Sequence, residues 1–188
     1  LAAGDRDAGA VDVEAALKIA PRLPLALVLR GSLRQETGDL RGALADYDAA
    51  ETGLPRMPEL FLNRAKVRHR LGEIAVAVAD LDRALECDPD FVNALAFRAG
   101  IRRQMRRLDD AVADAERAIR LDPNCFDARK TRGWIRMEQD RIDDALVDFE
   151  RLLVLGPERP EGWAGRGFAR YVQRDGARAL ADFDEAVR

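Results

Sequence analysis

The chain is short of the side chains on which enzymes depend. Its 188 residues include one serine (Ser32), one histidine (His69) and two cysteines (Cys87 and Cys125). The threonines are Thr37, Thr52 and Thr131. A hydrolytic triad would have to combine that serine, or one of the cysteines, with the single histidine. A zinc site would have to gather Cys87, Cys125 and His69 from distant segments without CxxC or HxxxH spacing. No catalytic residue, metal ligand set or cofactor is therefore expected. Two cysteines so far apart read as reduced thiols rather than a disulfide framework, which points to a reducing, cytoplasmic compartment.

Long apolar runs are also missing, and no stretch approaches the roughly 18 residues needed to span a bilayer. The start, LAAGDRDAGA, has no basic segment followed by an apolar one, so no secretory leader is read there. It lacks an initiator methionine, which points to a processed chain or a fragment of a longer one. An excess of positive charge is absent too. Lys and Arg number 31 against 34 Asp and Glu, for a net charge of -3 and a pI near 5.4. A globally basic nucleic-acid binder is disfavoured, although a local patch is not. With 47% apolar and 35% charged residues, the chain is too apolar and too evenly mixed to be disordered, and it is long enough to bury a core.

What the sequence does have is a period. Pro21, Pro55, Pro89, Pro123 and Pro157 are each 34 residues apart. Ala16, Ala50, Ala84 and Ala118 keep the same spacing, as do Ala43, Ala77, Ala111, Ala145 and Ala179. With repeats beginning at Pro24, Pro58, Val92, Phe126 and Pro160, each unit reads as two helices, over roughly positions 2–14 and 18–31. Gly38 and Gly72 fall between them as helix stops, and the proline at position 32 punctuates the second helix. Ile142, Ala145, Leu146, Phe149 and Leu153 form a buried helical stripe. No segment alternates for long enough to be a strand.

Two charged series share the period. Position 7 is Arg30, Arg64, Arg98, Arg132 and Arg166, and position 11 is Arg34, Arg68, Arg102, Arg136 and Arg170. Position 23 is Asp46, Asp80, Asp114, Asp148 and Asp182. The arginines at i and i+4 share one helical face. One reading makes them a stripe for a polyanion. The other pairs them with the aspartates, for which the planar guanidinium fork is suited. The balanced signs favour pairing.

These repeats resemble the tetratricopeptide repeats. Position 4 holds Leu27, Phe61, Leu95 and Trp163, position 8 holds Gly31, Ala65, Ala99, Gly133 and Gly167, and position 24 holds Tyr47, Leu81, Ala115, Phe149 and Phe183. Arg129 at position 4 and arginine throughout position 11 depart from the pattern. The resemblance implies an all-α fold, an α–α superhelix or solenoid. It would comprise a half repeat over 5–23, full repeats over 24–57, 58–91, 92–125 and 126–159, and a last repeat over 160–188, all in one array over 1–188.

The resemblance further implies a concave groove lined by positions 2, 5, 9, 12 and 13. Val28, Ser32, Gln35 and Glu36 would face it, then Leu62, Lys66, His69 and Arg70, then Ala96, Gly100, Arg103 and Gln104. Lys130, Trp134, Met137 and Glu138 follow, and after them Ala164, Phe168, Tyr171 and Val172. The cations Lys66, Arg70, Arg103 and Lys130 and the cluster of Trp134, Met137, Phe168 and Tyr171 are the candidate partner-binding residues. The clamp with which some members hold chaperone carboxylates is not present in register. A non-catalytic scaffold for a protein or peptide is expected, with no nucleic acid and no membrane, and with self-association through the array ends. The alternative is a regulatory or oligomerisation module of a larger enzyme or a secretion or assembly machine.

Overall fold

A computed structural model describes residues 3–188, with side chains from residue 9 onward. The leader reading rests mostly on side chains outside those described, as do the first side chains of the half repeat. The described residues form eleven helices and no strand. They are α1 (Ala3–Ile19), α2 (Pro24–Thr37), α3 (Leu40–Glu51), α4 (Pro58–Arg70), α5 (Ile74–Cys87), α6 (Val92–Gln104), α7 (Leu108–Leu121), α8 (Phe126–Glu138), α9 (Ile142–Leu155), α10 (Pro160–Val172) and α11 (Gly176–Ala186). The second helices begin at position 17, one residue earlier than the pattern suggested. Proline opens α2, α4 and α10, where its missing N–H costs nothing.

Position 15 turns every hairpin through the left-handed backbone region. Gly38 has φ 88° and Gly72 φ 82°, as glycine allows. The same place is filled by Arg106 (φ 62°), Asp140 (φ 59°) and Arg174 (φ 65°). In the last four hairpins the next N–H bonds back to the carbonyl five residues earlier, as from Arg107 to Arg102 and from Asp175 to Arg170. This is the bond of a Schellman stop.

The chain forms two compact units, Leu1–Pro89 and Asp90–Arg188. In the first, α2 pairs with α3 and α4 with α5, while α3 packs on α4. Tyr47, Leu60, Phe61 and Leu81 have no exposed surface there. In the second, α6–α7, α8–α9 and α10–α11 pair, while α7 packs on α8 and α9 on α10. Leu95, Phe149, Ile135 and Leu152 form its centre. Within each unit the hairpins stack one on the next, the arrangement of an all-α helical-repeat solenoid.

A size rule governs each hairpin. Where position 24 is aromatic, position 8 is glycine. A Cβ added at Gly31 would lie 2.9 Å from the Tyr47 ring, at Gly133 2.8 Å from Phe149, and at Gly167 2.8 Å from Phe183. Where position 24 is Leu81 or Ala115, position 8 is Ala65 or Ala99. Arg129, which departs from the family pattern at position 4, also finds its reason. Its Nε donates to the Pro123 carbonyl at 2.8 Å, as Trp163 Nε1 donates to the Pro157 carbonyl at 2.7 Å. Both tie a first helix to the turn before it.

Candidate functional site: an aromatic face beside a charge ladder

The ten periodic arginines turn to the five aspartates of their own repeats. Asp46 accepts from Arg30 at 2.7 and 3.0 Å and from Arg34 at 2.8 Å. Asp80 accepts from Arg64 at 2.7 Å and Arg68 at 2.6 Å. Asp114 accepts from Arg98 at 2.7 Å and Arg102 at 2.6 Å. Asp148 accepts from Arg132 at 2.7 Å and Arg136 at 2.8 Å, and Asp182 accepts from Arg166 at 2.7 Å and Arg170 at 2.8 Å. All five aspartates are buried. Arginines engaged in this way do not form an open basic stripe.

The ladder also links repeats. Arg64 reaches back to Asp48 at 2.8 Å and to Glu51 at 2.6 Å. Burial works to lower the Arg64 pKa, but the hydrogen bonds to Asp80 and Glu51 outweigh it and hold the guanidinium well above its ordinary value. Burial likewise pushes Glu51 up, and the hydrogen bonds from Arg64 and Arg83 bring it below the usual glutamate value. Arg83 completes that pair while its guanidinium lies 4.3 Å from the Phe61 ring centre. Arg129, which lies beside the ladder, is pushed below its ordinary value by burial that nearby Asp148 only partly offsets.

The aromatic candidates gather in Asp90–Arg188. The rings of Trp134 on α8 and Phe168 on α10 meet edge to face, 5.7 Å between centres. Trp134 also meets Phe149 at 5.3 Å, and Phe168 meets Phe183 at 5.5 Å. Trp134 is half-buried, and Met137 leans on the core of Ala145, Phe149, Leu152 and Ala169. Phe168 is 48% exposed, Tyr171 67% and Val172 48%. The open part of this face is therefore made by α10, with Trp134 at its edge.

Arg103 on α6 lies 6.0 Å from the Trp134 ring and donates to Glu138 at 2.8 Å. Arg106, at 2.6 Å, holds the other carboxylate oxygen. The positional pattern missed Arg106 because it stands in the turn, outside the groove positions. Lys130 pairs with Asp127 at 2.8 Å, one turn away on α8. Lys66 and Arg70 lie on α4 in Leu1–Pro89, where Arg70 donates to the Gln35 carbonyl at 2.8 Å. Val28, Leu62 and Ala96, expected to face the groove, are buried instead. At the same position in the last two repeats, Lys130 and Ala164 are half-exposed.

No group of three or more His, Cys, Asp or Glu among the described residues is arranged to hold a metal. Cys125 is buried, and burial pushes its thiol up, away from a reactive thiolate. Two shallow hollows, of about 570 and 320 Å³, lie beside Ala20–Pro24 and beside Pro55, Arg56, Arg83 and Cys87, apart from every candidate residue. No described helix is long and apolar enough to cross a membrane.

Solved structures with this fold include MamA from Desulfovibrio magneticus RS-1, from residue 41 to its end, with a TM-score of 0.75 at 16% identity, covering 87% of this chain and 93% of that one. YrrB, described as a TPR protein with an unusual peptide-binding site, has a TM-score of 0.70 at 18% identity, covering 93% and 90%. A tetratricopeptide repeat protein from Parabacteroides merdae ATCC 43184 has a TM-score of 0.79 at 24% identity, covering 98% and 73%. No curated protein matches the chain in sequence. The sequence model of the tetratricopeptide repeat matches residues 28–91, 98–160 and 130–188. With the 34-residue period, the paired helices and these matches in agreement, the chain belongs to the tetratricopeptide-repeat family.

Proposed function

We propose that the protein is a non-catalytic scaffold that binds a peptide or a protein segment on the first-helix face of its C-terminal repeats. The observation that carries this reading is the exposed Phe168, Tyr171 and Val172 on α10, set against Trp134 on α8. Aromatic side chains in a half-open cluster are typical anchors of interfaces. Arg103 and Lys130 stand beside them as polar readers. YrrB, of similar fold, supports the reading as a TPR protein with a peptide-binding site. Met137 would support Trp134 from beneath, where both lie against the core of Ala145, Phe149, Leu152 and Ala169.

The test uses a display library of random twelve-residue peptides selected on the full chain. The best binder is then synthesised and titrated by fluorescence anisotropy. Tyr171→Ser and Phe168→Ala should each weaken it by about 30-fold, the equivalent of about 2 kcal/mol per anchor. Unchanged affinity in both variants, with the helical circular dichroism intact, would place binding elsewhere.

Leu180 on α11 and Val187 just after it are 63% and 84% exposed, which supports self-association as a second reading. A sedimentation series should show concentration-dependent mass that Leu180→Glu abolishes. A constant monomer mass in the unaltered chain would dismiss it.

A further inference from the structure

Glu138 occupies an unusual place beside the aromatic face. It is the shared partner of two arginines from another hairpin, Arg103 at 2.8 Å and Arg106 at 2.6 Å, each on a different carboxylate oxygen. These three groups sum to one net positive charge. Both guanidinium groups remain accessible, with Arg106 72% and Arg103 36% exposed at the side chain. Arg103 also sits 6.0 Å from the Trp134 ring. A carboxylate seated between two arginines next to an aromatic surface is a ready-made acid-recognition pair, already filled by the chain's own side chain.

Resting on the peptide-binding reading above, we infer that Glu138 is a built-in competitor that sets the partner's chemistry. The partner is a segment with a bulky apolar residue for the Trp134–Phe168–Tyr171 face and an Asp or Glu beside it. That acid takes the place of Glu138 between Arg103 and Arg106. The site then selects acids by exchange: an acidic segment restores both charge-assisted hydrogen bonds that Glu138 gives up. A neutral segment would leave Glu138 where it is and gain only the apolar contact. The net positive charge of the three groups favours an incoming acid over an incoming base. Arg106 thereby becomes a specificity residue, standing in the left-handed turn that follows α6.

The probe is the selected twelve-residue peptide, together with a copy in which every Asp and Glu is replaced by Asn and Gln. Glu138→Gln should tighten the acidic peptide by about 3- to 10-fold and leave the amide copy unchanged. Arg103→Gln should remove the difference between the two peptides while both still bind. If Glu138→Gln leaves the acidic peptide unchanged or weakens it, while Phe168→Ala still weakens binding about 30-fold, the competitor role is wrong and the aromatic site stands. If Glu138 only ties α6 to α8, Glu138→Gln will lower the melting temperature with no selective gain for acids, and that also overturns the inference. If Phe168→Ala has no effect on binding, the peptide site itself falls, and the inference with it.

Discussion

Asp148 has no exposed surface, yet it faces the guanidinium groups of Arg129, Arg132 and Arg136. The intact cluster contributes modestly, because desolvation offsets most of the attraction. Breaking it is another matter. Asp148→Asn keeps the shape but leaves three cations around a neutral amide, and removing one member of a buried pair costs about 3–5 kcal/mol. Urea unfolding should show a loss of that size, whereas Asp144→Asn, which removes an exposed pair with Arg141, should leave the midpoint in place. A small effect at Asp148 would mean that its arginines reach water when the partner is gone. Glu51 supplies a pH-dependent contrast. Its folded pKa is depressed, since the hydrogen bonds from Arg64 and Arg83 overcome burial. Its contribution is therefore present above the unfolded glutamate value of about 4.3 and lost as pH falls through the lower folded value. The gap in melting temperature between the unaltered chain and Glu51→Gln should be widest near neutrality and should narrow steadily as pH falls below the ordinary glutamate value of about 4.3. A gap that stays constant down to pH 3 would assign Glu51 a packing role instead.

Hairpins depend on two local fits, one of size and one of backbone. Gly133 leaves room for Phe149, and a Cβ there would lie 2.8 Å from the ring. Gly133→Ala should cost about 1–3 kcal/mol by overpacking. Combined with Phe149→Leu, it recreates the Ala65–Leu81 pairing of the second repeat, so the double-mutant cycle should show a favourable coupling of about 1 kcal/mol or more. Additive losses would show that the two positions do not sense each other. At position 15 the left-handed turn strains Arg174 by about 1–2 kcal/mol. Arg174→Gly relieves this while adding about 0.5–1 kcal/mol of chain entropy cost. A net gain of about 0.5–1 kcal/mol in thermal unfolding is expected, and a loss would mean the arginine side chain contributes more than its backbone costs. These fits also show what could be read before the fold was known. The period and the stops at Gly38 and Gly72 were legible because proline and glycine restrict the backbone. The equivalent turns at Arg106, Asp140 and Arg174 carry no such mark, because there the hydrogen bonds from the following residue impose the turn. The aromatic candidates were legible by type and helical position. How deep they lie was not: Trp134 and Met137 share a face with Tyr171, but Phe149 and Leu152 draw them inward. Helical spacing fixes a direction, whereas burial depends on the neighbouring helix.

At the scale of the molecule, stability in a repeat fold is close to a sum of hairpin terms and neighbour terms. Within Asp90–Arg188, α9 packs against both α8 and α10, whereas α11 packs against α10. The side chains record the difference. Leu146 and Leu153 of α9 are half-buried, while Leu180 on α11 and Val187 just after it, at the same positions of the next repeat, are exposed. Local opening should therefore begin in α11, and its amides should exchange about tenfold or more faster than those of α9 at neutral pH. Equal rates would mean that these helices open in a single event and that neighbour terms do not set the order. The candidate binding face lies on α8 and α10, one helix inward from that weak element. A peptide seated across Trp134, Phe168 and Tyr171 stabilises the folded form by mass action, and it does so at the interface between two consecutive hairpins. Bound peptide should thus slow exchange in α8 and α10 first and in α11 only through α10. If protection instead rose in α11 alone, the segment would be docked on the exposed Leu180 and Val187 rather than on the first-helix face.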